Sequence, residues 1–539
     1  MKKRKNFATV LAVILVFTFV LSACSPTTDE PTKNEVTDEP TEEDEKYSKE
    51  LIIGISNELQ GTDTQTISTS NLAHILLYGL LIDVSLDGKE YYADIVESYN
   101  ISEDGLTWTF ILPEGAEFSN GDPLNAEAIK GSFDRYLEVG AYVSDYANIK
   151  EYNVLDEKTI EFVLSQPDPV LFTVLSSIQS GIVNADAANE VGNDAFKTKA
   201  VTYGPAYVEE WVQGSHVTLK PNMTFRDFSP ETENKGPLKF DEIKVRFIPD
   251  SFTLVSELEK GTVDIIDFVP LESIETLKTN SDIKLYEAMQ PGGSLLYVNT
   301  EDPILSDIKV RQAIALGINR DEIALALDNY VTPSYTFMSP SVTSFSSEKE
   351  MEMMNKWSTD KEKAKTLLEE AGWIDQNNDG IREKDGEDMT IELLTAMDVF
   401  SIKAAAPVIQ SQLKEIGIDL QIKELEHSYV KDSTKDGDFQ LSTRSVQWAD
   451  PMHVFSFTTD SRYYANDELD KLIDDSMYIA SLDERMKSFE KVTDLMYEEL
   501  PAISLFYEKW YTASRVEIEG LKLDSQGNFR FMDVKKLNK

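Results

Sequence analysis

The sequence predicts an α/β protein. Three observations carry that prediction. Short runs rich in β-branched residues alternate with longer amphipathic ones, several longer runs start at a capping residue and stop at Gly or before Pro, and no long apolar stretch recurs after residue 21. A single cysteine in 539 residues excludes a disulfide framework and a thiolate metal cluster, so the body must be stabilised by burial. The roughly 490 residues of the body are ample for that, and length alone suggests about three domains. Lys and Arg total 51 against 96 Asp and Glu, a formal net charge of −45. Such a surface repels nucleic acid and anionic lipid, so electrostatics argue against both as partners.

Taken in order, the chain opens with Lys2, Lys3, Arg4 and Lys5, then an uncharged apolar run from Phe7 to Leu21. That run suits a secretory signal and falls short of the ~20 residues of a membrane span. Leu21-Ser22-Ala23-Cys24 places small residues before a cysteine, as a lipoprotein signal peptidase requires. Residues 1–23 are therefore expected to be a lipoprotein signal peptide, with Cys24 acylated as the first residue of the mature protein. Residues 24–47 are expected to be a disordered acidic tether. Ser25 to Lys46 holds nine acidic residues, two basic ones, three prolines and five threonines, with Val36 its only aliphatic side chain. Such a segment cannot bury enough apolar surface to offset ordering.

Order is expected from Leu51-Ile52-Ile53-Gly54-Ile55, a short apolar strand. Thr107 to Leu112, Thr159 to Leu164, Val217 to Leu219, Ile243 to Ile248 and Ile418 to Ile422 follow as strands by alternation and β-branched content. Helices are expected over Asp307 to Asn319, from a Thr359 cap to Ala371 with a stop at Gly372, over Ser401 to Ile416 ending at Gly417, and over Asp483 to Glu499 before Pro501.

Catalytic motifs are missing: no Gly-x-Ser-x-Gly elbow, no phosphate-binding Gly-rich loop, no His-Glu-x-x-His. His74, His216, His427 and His453 are scattered, which gives a histidine metal site little support. Asp375-Gln376-Asn377-Asn378-Asp379-Gly380 begins like a calcium loop, but position twelve is Gly386, where a bidentate Glu is needed, and position eight is Arg382. A polar turn is the better reading of 375–386.

The informative stretch runs from Asp83 to Arg135. It contains Leu86-Asp87-Gly88, Ala93-Asp94-Ile95-Val96-Glu97-Ser98-Tyr99, Ser102-Glu103-Asp104-Gly105-Leu106-Thr107-Trp108-Thr109-Phe110 and Phe118-Ser119-Asn120-Gly121-Asp122-Pro123-Leu124-Asn125-Ala126-Glu127. Physically these are a turn feeding a half-buried strand, then a Gly-Asp-Pro turn opening an amphipathic helix. Together with Tyr203-Gly204-Pro205-Ala206-Tyr207, Asp241 to Asp250, Glu259-Lys260-Gly261-Thr262-Val263-Asp264, Tyr297-Val298-Asn299, Ser306 to Ile314, Ala364 to Trp373, Asn466 to Asp470 and Leu500 to Ile503, they resemble the peptide/nickel class (family 5) of extracellular solute-binding proteins that serve ABC importers. The likeness covers essentially all of residues 51 to 539.

This resemblance implies a two-lobed periplasmic-binding-protein-like fold of type II, hinged between lobes and carrying an extra subdomain. Lobe I would comprise 48–91, 205–297 and 508–539, the inserted subdomain 92–204, and lobe II 298–507. It implies a non-catalytic monomer without a cofactor. Its partners would be a short peptide or similar small solute, ABC permease subunits, and the membrane through its lipid. The expected location is the outer face of the cytoplasmic membrane in a bacterium lacking an outer membrane, or otherwise the periplasm. Alternatives are a nickel or metallophore chelate, an opine or oligosaccharide, a peptide sensor, or a surface hydrolase on the same fold.

Peptide-binding members carry a Trp-x-x-Asp string whose carboxylate pairs with the peptide α-ammonium. The matching stretch runs from Arg444 through Trp448 and Asp450 to Pro451, but Asp450 follows Trp448 by two positions instead of three. Asp450 is thus either the ammonium partner or a turn and cap residue before Pro451. Trp448 is either a pocket wall or core. Arg444 either clamps a ligand carboxylate or forms a structural ion pair. Asn57, Glu58 and Gln60 lie where family members approach ligand, or else form an ordinary exposed loop. His453 would touch a nickel chelate or be structural.

Overall fold

A computed structural model of the chain describes residues 46–342, 344–451, 454–455, 462–479 and 481–538. The signal segment, Cys24 and all but the last two residues of the expected tether lie outside the described residues, as does His453. None of the described helices is long and apolar enough to cross a membrane.

The architecture is α/β and two-lobed, organised around one strand. Ala502–Arg515 spans 14 residues and joins the sheet of one lobe to the sheet of the other. Its first part pairs with Gly293–Val298 and Val331–Pro333, its second part with Ile283–Met289 and Ile265–Ile266. The change falls at one peptide: Glu508 faces Val331 of the second lobe, and Lys509 faces Met289 of the first. The other crossing is the short link Gln290–Gly292, tied to this hinge strand by Gln290 N–H donating to the Glu508 carbonyl at 2.9 Å.

Gly293–Val298 lies wholly on the second-lobe side, although lobe II was expected to begin only at residue 298. It pairs with Leu441–Val446, and Leu295 to Val298 are buried in the second lobe's core. Buried on both faces, this strand shows none of the alternation that marks a half-buried one. Gly292 makes the turn possible: its φ is +80°, and a Cβ there would lie 2.0 Å from the Val446 carbonyl oxygen.

Three apolar cores support the lobes. One lies in the second lobe between Leu295 and Phe506. A second joins the first-lobe strand residues Leu51 and Ile53 to Trp108, Phe110 and Phe162 of the inserted subdomain. That subdomain is built on an antiparallel sheet in the order Ser98–Ile101, Thr107–Ile111, Thr159–Leu164, Ile149–Val154. Continuity of this core fixes the subdomain onto the first lobe. A smaller core underlies helices Ser251–Lys260 and Leu271–Lys278.

Most expected elements occur with ends shifted by one to three residues, as fraying and capping dictate. One cap differs. Asp360, not Thr359, caps helix Lys361–Glu370 by accepting from Lys363 N–H at 2.9 Å. The Thr359 hydroxyl instead donates to the Ile318 carbonyl at 2.9 Å. The carboxylate is the stronger acceptor at the positive end of the helix. The stop at Gly372 stands, with φ at +87°.

Candidate functional site

Strand direction creates the site. In the second lobe Thr390–Ala396 runs parallel to both Asp419–Leu425 and Leu441–Val446, and Val446 pairs with Gly293, the first residue after the crossing. The carboxyl ends of these strands therefore lie at the hinge. In the first lobe Glu50–Ile55 is parallel to Glu242–Phe247 and Ile265–Ile266, and the last of these runs antiparallel to the outgoing half of the hinge strand. Those carboxyl ends point back at the hinge as well. Two parallel sheets thus face each other end-on, the position where open α/β sheets hold ligands.

Between them lies a cleft of about 800 Å³, within the roughly 300–1,000 Å³ of small-molecule sites. Ser56, Asn57 and Asp267 enter it from first-lobe strand ends, Gln290 and Pro291 from the crossing, and Gln447 to Asp450 from the second lobe. Met397, Phe400, Tyr429 and Trp448 follow the second-lobe strand ends and stand exposed, and of these Trp448 lines the cleft.

The cleft is acidic. Among the described residues eight carboxylates line it (Asp83, Asp94, Asp145, Asp227, Glu231, Asp267, Asp450 and Asp524) against two cations, Lys522 and Arg530. Several of these charges are internally committed. Arg530 bridges Asp83 and Asp524 and donates to the Val84 carbonyl at 3.0 Å, fastening the C-terminal segment to the first lobe. Burial drives the Asp94 carboxyl well above its ordinary range, and nearby Asp83 and Asp227 add to the shift. Asp227 is likewise raised by burial, against hydrogen bonds from Thr232 and Ser229.

Asp267 is different. It is half-buried, and its carboxylate accepts from Ser56 N–H at 3.1 and 3.2 Å and from the Ser56 hydroxyl at 3.3 Å. Burial pushes its pKa up to about 6 against those bonds. Among the described residues no cation lies within ion-pair distance of it.

The residues expected at the site separate. Asp450 lines the cleft, but its carboxylate is gripped bidentately by Arg485 of helix Leu482–Glu499 at 2.7 and 2.9 Å, with both side chains nearly fully buried. Arg485 is completed by its Nε donating to the Ser476 carbonyl at 3.1 Å and by the Phe489 ring at 5.1 Å. Trp448 stands at the cleft wall, 45% exposed. Arg444 is buried under the second-lobe sheet with its guanidinium 5.5 Å from the Tyr297 ring centre, and is not among the residues lining the cleft. Asn57 lines the cleft, whereas Glu58 turns outward to accept from Gly214 N–H at 2.7 Å, and Gln60 is exposed away from it. The structure thus brings Asn57, Trp448 and Asp450 to one cavity and leaves Glu58, Gln60 and Arg444 outside.

Asp267 and Arg485 escaped the sequence reading. An acidic residue closing the short apolar pair Ile265-Ile266 was a legible signal for the first, because strand carboxyl ends carry sites. Nothing local pointed to Arg485, which reaches Asp450 across 35 positions. The calcium-like turn turns its oxygens to backbone: Asp375 accepts from Gly380 N–H at 3.1 Å, Asp379 from Ile381 N–H at 2.9 Å, and Glu383 from Gln376 N–H at 2.9 Å. Among the described residues no group of three or more His, Cys, Asp or Glu is arranged to hold a metal.

Comparison with known proteins gives a consistent picture. The family described as bacterial extracellular solute-binding proteins, family 5 Middle, matches residues 90–466. The oligopeptide-binding protein AppA of Bacillus subtilis is 24% identical over 552 residues, covering 97% of this chain and 97% of that protein. The structure of HbpA2 from Haemophilus parasuis superposes with a TM-score of 0.77 at 19% identity, covering 91% of this chain and 100% of that one. AppA in complex with a nonapeptide superposes at 0.66 with 22% identity, covering 92% and 99%.

Proposed function

The chain belongs to the family 5 bacterial extracellular solute-binding proteins, and from that premise we propose that it is the receptor of an ABC importer for short peptides or zwitterionic solutes of similar size. It captures them in the interlobe cleft and delivers them to the membrane permease. The observation that carries the reading is the acidic lining of the cleft: with Asp83 and Asp524 held by Arg530 and Asp450 by Arg485, Asp145, Glu231 and Asp267 stand without an ion-pair partner among the described residues, which favours a ligand that arrives with a positive group. An oligopeptide-binding relative aligned over nearly the whole length supports the same ligand class. The exposed Trp448 ring on the cleft wall offers side-chain contact beyond the charge.

The body binds as a monomer and stays at the outer face of the cytoplasmic membrane through acylated Cys24, with residues 24–47 as its tether. Binding is a population shift: a ligand touching both lobes favours the closed form by its difference in affinity for the two. Among the described residues the backbone crosses between lobes at Gln290–Gly292 and Glu508–Lys509, and these are the places that flex.

Native mass spectrometry of protein released from its own cells tests this reading. Retained masses that fragment as short peptides support it. A retained nickel chelate, opine or sugar replaces it with another ligand class of the same family.

A further inference from the structure

We propose that Asp267 and Gln290 form a cation subsite on the first-lobe wall of the cleft, and that it receives the α-ammonium group of the ligand. This rests on the peptide reading above and assigns its charge recognition to residues other than Asp450.

An ammonium carried into a closing cleft leaves water and needs both a counter-charge and acceptors for three N–H donors. Asp450 cannot supply the charge without releasing Arg485, which already holds both of its oxygens. Asp267 supplies it directly. A carboxylate offers about four lone-pair sites. Ser56 supplies two donors, its N–H shared between both oxygens and its hydroxyl, and no described cation completes the set.

Gln290 supplies a second acceptor. Its Oε1 is buried and has no hydrogen-bond partner, although the residue lines the same cleft. An orphaned amide oxygen beside a cavity is costly unless a donor arrives from the ligand.

Both residues line the cleft together with Trp510. Its indole N–H donates to the Asp267 main-chain carbonyl at 3.1 Å, and its ring packs on Phe268 with centroids 5.1 Å apart. Trp510 pairs with Ala288, two residues before Gln290 in the chain. The half-buried indole also lines the cleft and offers a π surface on which a cation is favoured. Because Gln290 sits in the link between lobes, occupancy of the subsite touches the segment that must flex on closure.

The test uses the mature full-length protein, an equimolar mixture of tripeptides with free amino termini, and the same mixture N-acetylated. Each is offered to wild type, Asp267→Asn and Asp450→Asn in native mass spectrometry, with thermal unfolding as the check on folding. Wild type is expected to retain the free-amine mixture and reject the acetylated one. Asp267→Asn should weaken retention of the free-amine mixture by roughly thirtyfold or more, the usual cost of truncating one partner of a desolvated charge pair, while staying folded. Folded Asp450→Asn should retain it within about threefold, because its charge serves Arg485 and not the ligand. If Asp267→Asn binds like wild type, or if wild type takes both mixtures equally, the subsite is wrong while the peptide reading survives. If wild type takes neither mixture, the peptide reading falls and the subsite with it.

Discussion

Replacing Asp450 by Asn deletes one charge from the bidentate pair with Arg485 while keeping the side chain's size. Both groups are nearly inaccessible, at 2% and 7% exposure, so the arginine left behind is neither hydrated nor paired. Its remaining contacts, the Ser476 carbonyl and the Phe489 ring, are weaker than a carboxylate. Breaking a buried pair from one side costs about 3–5 kcal/mol. The loss should appear in the second lobe, because the pair stitches the loop after Leu441–Val446 to helix Leu482–Glu499. Denaturant unfolding of wild type, Asp450→Asn, Arg485→Met and the double variant measures it. The double variant should recover most of the loss, since removing both charges of a buried pair is often neutral. The reasoning is refuted if Asp450→Asn unfolds within about 0.5 kcal/mol of wild type, as a surface change would, yet loses affinity for free-amine peptides. Asp450 would then be serving a ligand ammonium, as the family resemblance first suggested.

Asp267→Asn should have the opposite effect on the ligand-free protein. A carboxyl whose folded pKa is raised from 3.8 to about 6 loses stability as pH rises through that window and does not regain it above. The variant should therefore be more stable at pH 7.5, by up to about 3 kcal/mol at ~1.4 kcal/mol per unit of pKa shift, with the difference vanishing by about pH 4, near the unfolded carboxyl value. Thermal unfolding at the two pH values checks this, and a variant destabilised at pH 7.5 contradicts it. For the same reason, calorimetry should show wild-type affinity for free-amine peptides falling below about pH 6, roughly tenfold per unit as the carboxylate is protonated. Pulse-labelling with palmitate should mark wild type and spare Cys24→Ser, which accumulates as precursor or shed protein; a labelled Ser variant contradicts the anchor.

Much of this molecule was legible in its sequence because it is written locally. The helix start at Asp307, the stop at Gly372 and the alternating run Thr159–Leu164 are decided within a few residues of themselves. The family likeness was carried by turn and strand strings of the same kind. The cleft was harder to read because its chemistry is non-local. Whether Asp450 is free or paired depends on a helix 35 positions away, and whether Glu58 faces ligand depends on the turn at Gly214. Arg444 shows the same limit. Strand period 2 says that it points to one face of the sheet, and only packing against Tyr297 says which. The lobe crossing was misplaced because Gly293–Val298, buried on both faces, carries no pattern that tells one lobe from the other.

The central claim is a clamp: two lobes joined at Gln290–Gly292 and Glu508–Lys509 that close on a ligand in the cleft between them. Small-angle scattering of the mature protein, alone and saturated with the peptide retained in native mass spectrometry, tests it most directly. The account predicts a smaller radius of gyration with ligand bound. Saturated protein whose radius of gyration equals that of the free protein would contradict it.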